Sequence, residues 1–338
     1  MKLTQLGEFG LIDLLAKMIS SSQNNQTEPM QKLIVGIGDD AAAWHGDTSI
    51  QLATVDALIQ DVHFFLSTTT WKDLGWKSLA VNLSDIAAMG GVPTYALVAL
   101  ALPGSTEVAD VAALYEGMLE IACQFGVAIV SGNTCQAPEV SITVTVLGSS
   151  RSKNLLRRSA ARPGDKLAVT GHPGSAAAGR QMLTDNLLFA PEVTTYLREA
   201  FLRPKPRLAE GQRLAEQGVV CAIDISDGLL ADLRHICRAS RVAARIEVDR
   251  LPVHPMVRDN FGERALELAL AGGEDYELLF TAGAKTIESI RNEISPVTVI
   301  GDIATGKPGE VSLIDADGKP FHLHGAGWEH FKTGKNQD

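Results

Sequence analysis

The stretch WKDLGWKSLAVNLSDIAAMG, residues 71–90, has the apolar content of a helix that is buried inside a domain. Three polar residues interrupt its apolar positions, Ser78, Asn82 and Asp85, at spacing i, i+4 and i+7. This spacing places the three side chains on one face of a helix. A polar stripe on an apolar helix needs a partner, which is either the backbone of a neighbouring loop or a bound cation.

On both sides of this helix, apolar segments rich in β-branched residues alternate with helical patterns. Such alternation predicts an α/β domain, which we expect to span residues 1–150. The predicted strands are SIQLATV (49–55), YALVALAL (95–102), VAIVSG (127–132) and VSITVTVLG (140–148), and the predicted helices are residues 6–20, 72–89 and 107–125.

The segment LLRRSAARPGD, residues 155–165, indicates a domain boundary, because Pro163 and Gly164 interrupt regular structure before the next predicted strand. Residues 151–338 then read as a second α/β domain. A length of 338 residues agrees with two domains. The predicted elements of the second domain are the strands KLAVTG, VCAIDI, YELLF, VTVIGD and VSLID and the helices 206–217 and 227–239.

The composition excludes several classes of protein. With 40 acidic and 30 basic residues, the formal charge of −10 argues against a nucleic-acid-binding surface. No stretch approaches the roughly 20 apolar residues of a membrane span. Glu8, Asp13 and Lys17 make the first residues an amphipathic helix and not a signal peptide. The four cysteines form no CxxC pair, so neither a zinc site nor a disulfide framework is indicated, and we expect a cytoplasmic protein.

Acidic residues cluster at the ends of the predicted strands. Each of them, taken alone, also fits a helix cap or a turn. Several carboxylates held together would repel one another and raise their own pKa values unless a cation were present. Magnesium prefers such oxygens, commonly together with phosphates, so the pattern predicts magnesium and a nucleotide. These residues are Asp39 and Asp40 in GIGDDAA, Asp56, Asp224, Asp227, Glu274 and Asp275.

The glycine-rich loop GHPGSAAAGRQ, residues 171–181, invites comparison with the Walker A motif of nucleotide-binding proteins. Gly174 and Gly179 have the required spacing after a predicted strand. However, Arg180 and Gln181 replace the Lys and the Ser or Thr that contact phosphate and metal. We therefore do not expect this loop to hold phosphate.

In their order along the chain, the acidic motifs resemble those of the thiamine-monophosphate kinase family. This family belongs to the superfamily that includes aminoimidazole ribonucleotide synthetase and selenophosphate synthetase. The resemblance runs nearly from end to end, and NLSDIAAMG, IDISDGL and GGEDYEL are its most specific motifs. The remaining matches are GEFGLI, GIGDDAA, VDALIQDVHF, RPGDKLAVTGHPG, LRPKPR and GWEHF.

The resemblance implies a two-domain α/β (α+β) fold like that of aminoimidazole ribonucleotide synthetase. In such a fold the N-terminal mixed sheet and its helices pair in a homodimer, and the C-terminal domain is α/β. The implied reaction is magnesium-assisted transfer of the γ-phosphoryl group of ATP to thiamine monophosphate, which gives thiamine diphosphate. The acceptor phosphate has a second pKa of about 6, so it needs no general base at neutral pH.

The family's site residues transfer to this chain position by position. The thiazolium ring of the acceptor is a permanent cation, which the indole of Trp328 and the carboxylate of Glu274 would attract. For Trp328, a packed aromatic residue is an equally good interpretation. The resemblance implies metal ligation by Asp39, Thr54, Asp56, Asp85, Asn133, Asp224 and Asp227, ATP binding by Gly132, Asn133, Arg158 and Ser226, and thiamine phosphate binding by His63, Glu274 and Trp328.

The chain departs from the family at the end of the strand VAIVSGNT, where the family usually has Gly-Gly-Asp-Thr. Asn133 stands in place of the aspartate, and Ser131 replaces the first glycine. An amide brings no negative charge, so we expect weaker binding of ATP and magnesium and an intact thiamine phosphate side. Ala57, where a threonine is common, is a milder departure.

Two alternatives to an active kinase stay open from the sequence. The first is a paralogue that binds thiamine phosphate without transferring a phosphoryl group, and Asn133 favours it. The second is an enzyme of the same superfamily with another acceptor. The motifs DVHF, GGED and GWEHF disfavour the second alternative, because they belong to the acceptor side of the family's site.

Overall fold

The computed structural model of the protein describes residues 2–6, 8–23, 28–35, 43–44, 46, 49–150 and 155–321. These residues form two compact units. The first unit comprises Met1–Lys153 together with Leu202–Gln212, and the second comprises Asn154–Phe201 and Arg213–Asp338. The return of residues 202–212 to the first unit was not predicted from the sequence.

The first unit is a four-stranded mixed sheet with helices on one face. The strand order is β3-β6-β4-β5, in which β4 and β5 are parallel and the other pairs are antiparallel. A short two-stranded pair, β1 and β2, is separate from it. The elements are α1 (Leu3–Leu6), α2 (Glu8–Gln23), α3 (Glu28–Lys32), β1 (Leu33–Val35), β2 (Ala43–Trp44), β3 (Ile50–Ile59), α4 (Trp71–Ala88), β4 (Val92–Leu102), α5 (Val108–Phe125), β5 (Ala128–Gln136) and β6 (Ser141–Ser150).

Side chains alternate between the two faces of this sheet, as the two-residue period of a strand requires. Val144 and Val98 are buried on the face that α4 covers. On the opposite face the side chains of β3 are exposed, and Val55 keeps 59% of its surface accessible, whereas those of β6 are half-buried. The sheet is therefore covered on the face of α4, whereas its other face carries apolar side chains such as Val55 together with polar ones such as Thr143.

Helices α4 and α5 approach each other closely because each has a glycine at the crossing. A Cβ atom at Gly75 would lie 1.8 Å from the carbonyl oxygen of Leu114, and one at Gly117 would lie 1.9 Å from that of Lys72. The two helices therefore pack backbone against backbone.

Helix α4 begins at the N-cap Thr70, whose hydroxyl accepts the backbone N–H of Asp73 at 3.1 Å.

The returning segment 202–212 is fastened to α4. The indole N–H of Trp76 donates to the carbonyl oxygen of Pro204 at 2.9 Å. The guanidinium of Arg203 lies 4.3 Å from the centre of the Trp76 ring and forms an ion pair of 2.6 Å with Glu120 on α5. A cation–π contact and an ion pair thus hold this segment on the first unit.

The second unit is built on a six-stranded sheet of order β12-β9-β11-β7-β10-β8. Only the β12–β9 pair is parallel among these strands. Its elements are β7 (Lys166–Thr170), α6 (Ser175–Thr184), α7 (Pro191–Leu202), α8 (Leu208–Glu216), β8 (Cys221–Asp224), α9 (Leu229–Ser240), β9 (Ala243–Glu247), α10 (Pro255–Phe261), α11 (Arg264–Ala271), β10 (Leu278–Ala282), α12 (Ala284–Arg291), β11 (Val297–Ala304) and β12 (Val311–Ile314). Helix α8 crosses from the first unit into the second.

Most predicted elements are present, with shifted ends. The predicted strand YELLF begins only at Leu278, because Tyr276 has a φ of 52°, which is not compatible with a strand. The predicted helices 206–217 and 227–239 correspond to α8 and α9. Helices α6, α7, α10, α11 and α12 were not predicted.

Within the described ranges, no helix combines the length and the apolar character that crossing a bilayer would take.

Candidate functional site

In the first unit, the polar stripe of α4 finds its partner in strand β3. The amide oxygen of Asn82, which is fully buried, accepts the backbone N–H of Asp56 at 3.0 Å, and its amide nitrogen donates to the carbonyl oxygen of Ser78 at 3.1 Å. The hydroxyl of Thr54 donates to a carboxylate oxygen of Asp85 at 2.5 Å. Helix and strand together therefore bring Thr54, Asp56 and Asp85 to one place.

The two carboxyl groups at this place interact unfavourably in the absence of a cation. Burial and, to a lesser extent, the neighbouring carboxyl of Asp85 together raise the pKa of Asp56 from 3.8 to about 6. Among the residues that the structure describes, neither aspartate forms an ion pair. Two partly buried carboxylates and a hydroxyl are a donor set that fits a divalent cation with oxygen ligands.

Gly132 and Asn133 lie on β5 of the same sheet, and the register separates them. Ala99 on β4 is the partner of Asn133, and it pairs with Thr143, which pairs with Ala57. The neighbouring row runs from Gly132 to Asp56. Because adjacent rows point to opposite faces, Asn133 shares the exposed face with Ala57, whereas Asp56 faces α4. Within one chain, the side chain of Asn133 does not join the Asp56–Asp85 pair.

In the second unit, the loop after β8 is organised around a buried carboxylate. One oxygen of Asp232, a residue that is 2% exposed, accepts the backbone N–H groups of Ser226, Asp227 and Gly228 at 3.1, 3.1 and 3.2 Å. Burial, together with Asp224 and Asp227, raises the pKa of Asp232 to about 8, although the backbone N–H groups of Ser226 and Asp227 lower it. The backbone donors of this loop are thus already used, so contact of Ser226 with ATP would have to involve its hydroxyl.

Asp232 and His235 were missed by sequence reasoning. With Asp227 they bring ligand atoms that lie within 4.8 Å of one another. Asp232 lies in the first turn of α9, where an acidic residue is the ordinary complement of the helix dipole. That common pattern hid the special role of Asp232, and only its three backbone donors reveal it.

The motif GGEDYEL lies beside this loop. The backbone N–H of Glu274 donates to the carbonyl oxygen of Ser226 at 2.8 Å, so Glu274 and Ser226 are brought together. The two carboxylate oxygens of Asp275 accept the backbone N–H groups of Gly174 and Ala176 at 2.8 and 3.1 Å. These donors belong to the loop GHPGSAAAGRQ, so two of the N–H groups at the N-terminus of its helix are bonded to the protein itself and not open to a phosphate.

Three further predicted site residues, His63, Arg158 and Asp224, lie in the described parts of the chain. The Nδ1 atom of His63 accepts the backbone N–H of Ile59 at 3.1 Å, at the end of β3. Arg158 is exposed, and its carbonyl oxygen accepts the hydroxyl of Ser240 at 2.8 Å. Asp224 ends β8 and is 2% exposed. Asp39, Asp40 and Trp328 lie outside the described residues.

Comparison with known proteins gives the family of the chain. Residues 38–150 match AIR synthase related protein, N-terminal domain, and residues 162–312 match AIR synthase related protein, C-terminal domain. The thiamine-monophosphate kinase of Bacillus subtilis (strain 168) is 37% identical over 309 residues, which cover 88% of this chain and 94% of that protein. The one of Escherichia coli (strain K12) is 37% identical over 335 residues, 97% of this chain and 99% of that protein.

Solved structures give the same result. The crystal structure of thiamine-monophosphate kinase from Stenotrophomonas maltophilia K279a matches with a TM-score of 0.82 and 36% identity, over 91% of this chain and 96% of that chain. AaThiL complexed with AMPPCP and TMP matches with a TM-score of 0.75 and 32% identity, over 98% of this chain and 99% of that chain. The chain therefore belongs to the AIR synthase related protein family and, within it, to the thiamine-monophosphate kinases.

Proposed function

We propose that the protein transfers the γ-phosphoryl group of ATP to thiamine monophosphate and releases thiamine diphosphate. The paired carboxylates of Asp56 and Asp85 are the observation that carries this function, since they form a magnesium-type donor set in a chain that aligns almost completely with these kinases. The relative complexed with AMPPCP and TMP supports an ATP-type nucleotide and a thiamine phosphate as the two substrates.

Magnesium is proposed to bind at the carboxylates of each unit. Thr54, Asp56 and Asp85 would hold it in the first unit, and Asp224 and Asp227 in the second; Asp39 has the same role by resemblance. When bound, magnesium would offset the negative charge that otherwise keeps two phosphate-bearing substrates apart.

The role of the protein's residues is then to orient the two substrates. They do not need to transfer a proton. The acceptor phosphate, with a second pKa of about 6, is already a nucleophile at neutral pH. His63, Glu274 and Trp328 are proposed to bind thiamine monophosphate, and the carboxylate of Glu274 would attract the thiazolium cation. The residues proposed to contact ATP are Gly132, Asn133, Arg158 and Ser226, and for these the support is the resemblance in sequence.

A homodimer is part of the proposed function. The exposed face of the four-stranded sheet carries the apolar side chains of Val55 and Ile59, which are 59% and 38% exposed. A second copy of the chain would cover this face and remove apolar surface from water. Asn133 would then lie inside the subunit interface.

Localisation is inferred from the cysteines. All four are free, which supports a reducing compartment, and we propose the cytoplasm.

A second candidate function is binding of thiamine phosphate without phosphoryl transfer, and Asn133 is the observation that favours it. The deciding experiment measures thiamine diphosphate formation from ATP and thiamine monophosphate over a magnesium titration, for the parent protein and for Asn133→Asp. We expect turnover in the parent and a lower magnesium requirement in the variant. A parent that binds thiamine monophosphate, yet forms no thiamine diphosphate at any magnesium concentration, would establish the second candidate instead.

A further inference from the structure

Asp275 connects two segments that are far apart in the sequence. Its carboxylate caps helix α6, which has the glycine Gly174 at its N-cap and so no capping side chain of its own. Both oxygens of the carboxylate are used, one for the N–H of Gly174 and the other for the N–H of Ala176. A carboxylate at a helix N-terminus satisfies free donors and complements the helix dipole.

The residues on either side of Asp275 adopt a backbone conformation that side chains disfavour. Glu274 has a φ of 67° and Tyr276 has a φ of 52°, both in the left-handed region. Such a conformation is energetically unfavourable for a residue with a side chain and persists only when its surroundings hold it there. Two of them flanking a single capping residue indicate a segment that is held under strain.

The opposite side of this segment is fixed by the loop after β8. The backbone N–H of Glu274 donates to the carbonyl oxygen of Ser226 at 2.8 Å, and that of Tyr276 donates to the carbonyl oxygen of Ile225 at 2.9 Å. A Cβ atom at Gly273 would lie 2.3 Å from the carbonyl oxygen of Ser226. The backbone of residues 273–276 is therefore held on one side by this loop and on the other, through Asp275, by α6.

We propose that Asp275 is a positioning residue for acceptor recognition: by capping α6 it keeps Glu274 in the left-handed conformation in which Glu274 binds thiamine monophosphate. This inference rests on the proposed function. The inference assigns Asp275 no contact with substrate, since both of its oxygens are hydrogen-bonded to the backbone of α6 and the loop before it. Its effect reaches the acceptor through Glu274 alone, and binding of ATP does not depend on it.

The test compares Asp275→Asn with the matched control Asp165→Asn. Asp165 accepts the N–H of Arg162 and the hydroxyl of Thr281, and it lies at the other end of β10, so it holds a loop of the same unit away from Glu274. In steady-state kinetics, we expect Asp275→Asn to raise the KM for thiamine monophosphate at least tenfold and to leave the KM for ATP within about twofold. Asp165→Asn should change neither value.

A double-mutant cycle shows whether Asp275 acts through Glu274. We expect Glu274→Gln and Asp275→Asn each to weaken calorimetric binding of thiamine monophosphate, and the double variant to lose no more affinity than Glu274→Gln alone. Additive losses, or a KM for ATP that rises together with that for the acceptor, would overturn the positioning role.

Binding and turnover distinguish a failed inference from a failed function. If the parent binds thiamine monophosphate without phosphorylating it, the proposed function fails while the binding cycle still decides the role of Asp275. If the parent does not bind thiamine monophosphate, both fail. Thermal unfolding of every variant shows whether the fold is retained.

Discussion

Asp56 on β3 and Asp85 on α4 hold their carboxyl groups within hydrogen-bonding reach of each other, and the hydroxyl of Thr54 donates to Asp85. The pKa of Asp56 is about 6 because of burial and of this neighbour. Above that pH the protein without metal holds two repelling charges at one place. A divalent cation bound by both carboxylates would offset this repulsion, so the arrangement that destabilises the metal-free protein favours cation binding.

Asp56→Asn is therefore expected to stabilise the metal-free protein near pH 8 and to weaken its stabilisation by magnesium. The change of pKa from 3.8 to about 6 corresponds to at most about 3 kcal/mol of unfolding free energy. Because the folded-state pKa is the higher one, the metal-free parent loses this stability as the pH rises from about 4 through about 6. Thermal unfolding with and without magnesium measures both effects.

Glu139→Gln is the control, since Glu139 is exposed just before β6 of the same sheet. It should leave the unfolding temperature and the response to magnesium unchanged. A lower unfolding temperature for metal-free Asp56→Asn would contradict the repulsion between the two carboxyl groups.

Asp232→Ala is expected to destabilise the second unit strongly. The substitution leaves the N–H groups of Ser226, Asp227 and Gly228 without their acceptor, and each buried unsatisfied donor costs about 1–3 kcal/mol. Asp232→Asn keeps one amide oxygen for the same three donors and removes a charge beside Asp224, so it should stay near the stability of the parent. Urea unfolding gives the unfolding free energies of the two variants. Equal values would show that the loop does not depend on this acceptor.

His254 is expected to make stability fall in acid. Its Nδ1 atom accepts the N–H of Met256 at 3.2 Å as the N-cap of α10, its ring stacks on Tyr196 at 4.1 Å, and the ring of His172 lies 5.0 Å away. Burial lowers the pKa of His254, and His172 lowers it further. The folded-state pKa is thus below the unfolded value, so stability is complete above about pH 6.5 and is lost as the pH falls through the folded value.

His254→Asn should remove this part of the pH dependence, because asparagine caps a helix without titrating. The measurement is the unfolding free energy of parent and variant between about pH 5 and about pH 8. Parallel curves for the two proteins would show that another group is responsible.

Gly75→Ala is expected to destabilise the first unit, because the new methyl group would lie 1.8 Å from a backbone oxygen that cannot move away alone. Overpacking of this kind costs about 1–3 kcal/mol, and more where backbone is in the way. Gly283→Ala is the control, since Gly283 has open space around its Cβ position and should lose less than about 1 kcal/mol. Chemical denaturation of both variants gives the comparison.

Sequence reasoning succeeded where the signal is local. The stripe of Ser78, Asn82 and Asp85 predicted a polar face on α4, and β3 supplies the partner for Asn82 and Asp85. The strands of the first sheet were recognisable from their β-branched residues. The order of the acidic motifs along the chain was specific enough to identify the family.

It failed where the structure depends on contacts between distant segments. Asp275 bonds residues 101 and 99 positions away, and no periodicity records such a contact. The faces occupied by Asp56 and Asn133 depend on the register of two other strands between them, which a single sequence does not specify. Asp232 was not singled out, because an acidic residue in the first turn of a helix is common.

The segment 202–212, fastened to Trp76 by Pro204 and Arg203, also limits how such a protein can be recombined with its relatives. A single crossover near residue 150 would give a chimera whose first unit receives this segment from the other parent, so that foreign residues would have to match Trp76 and Glu120. A functional exchange of the first unit needs three junctions, near residues 153, 202 and 212. Gene fusions and truncations face the same restriction, since no single cut of the chain frees an intact first unit.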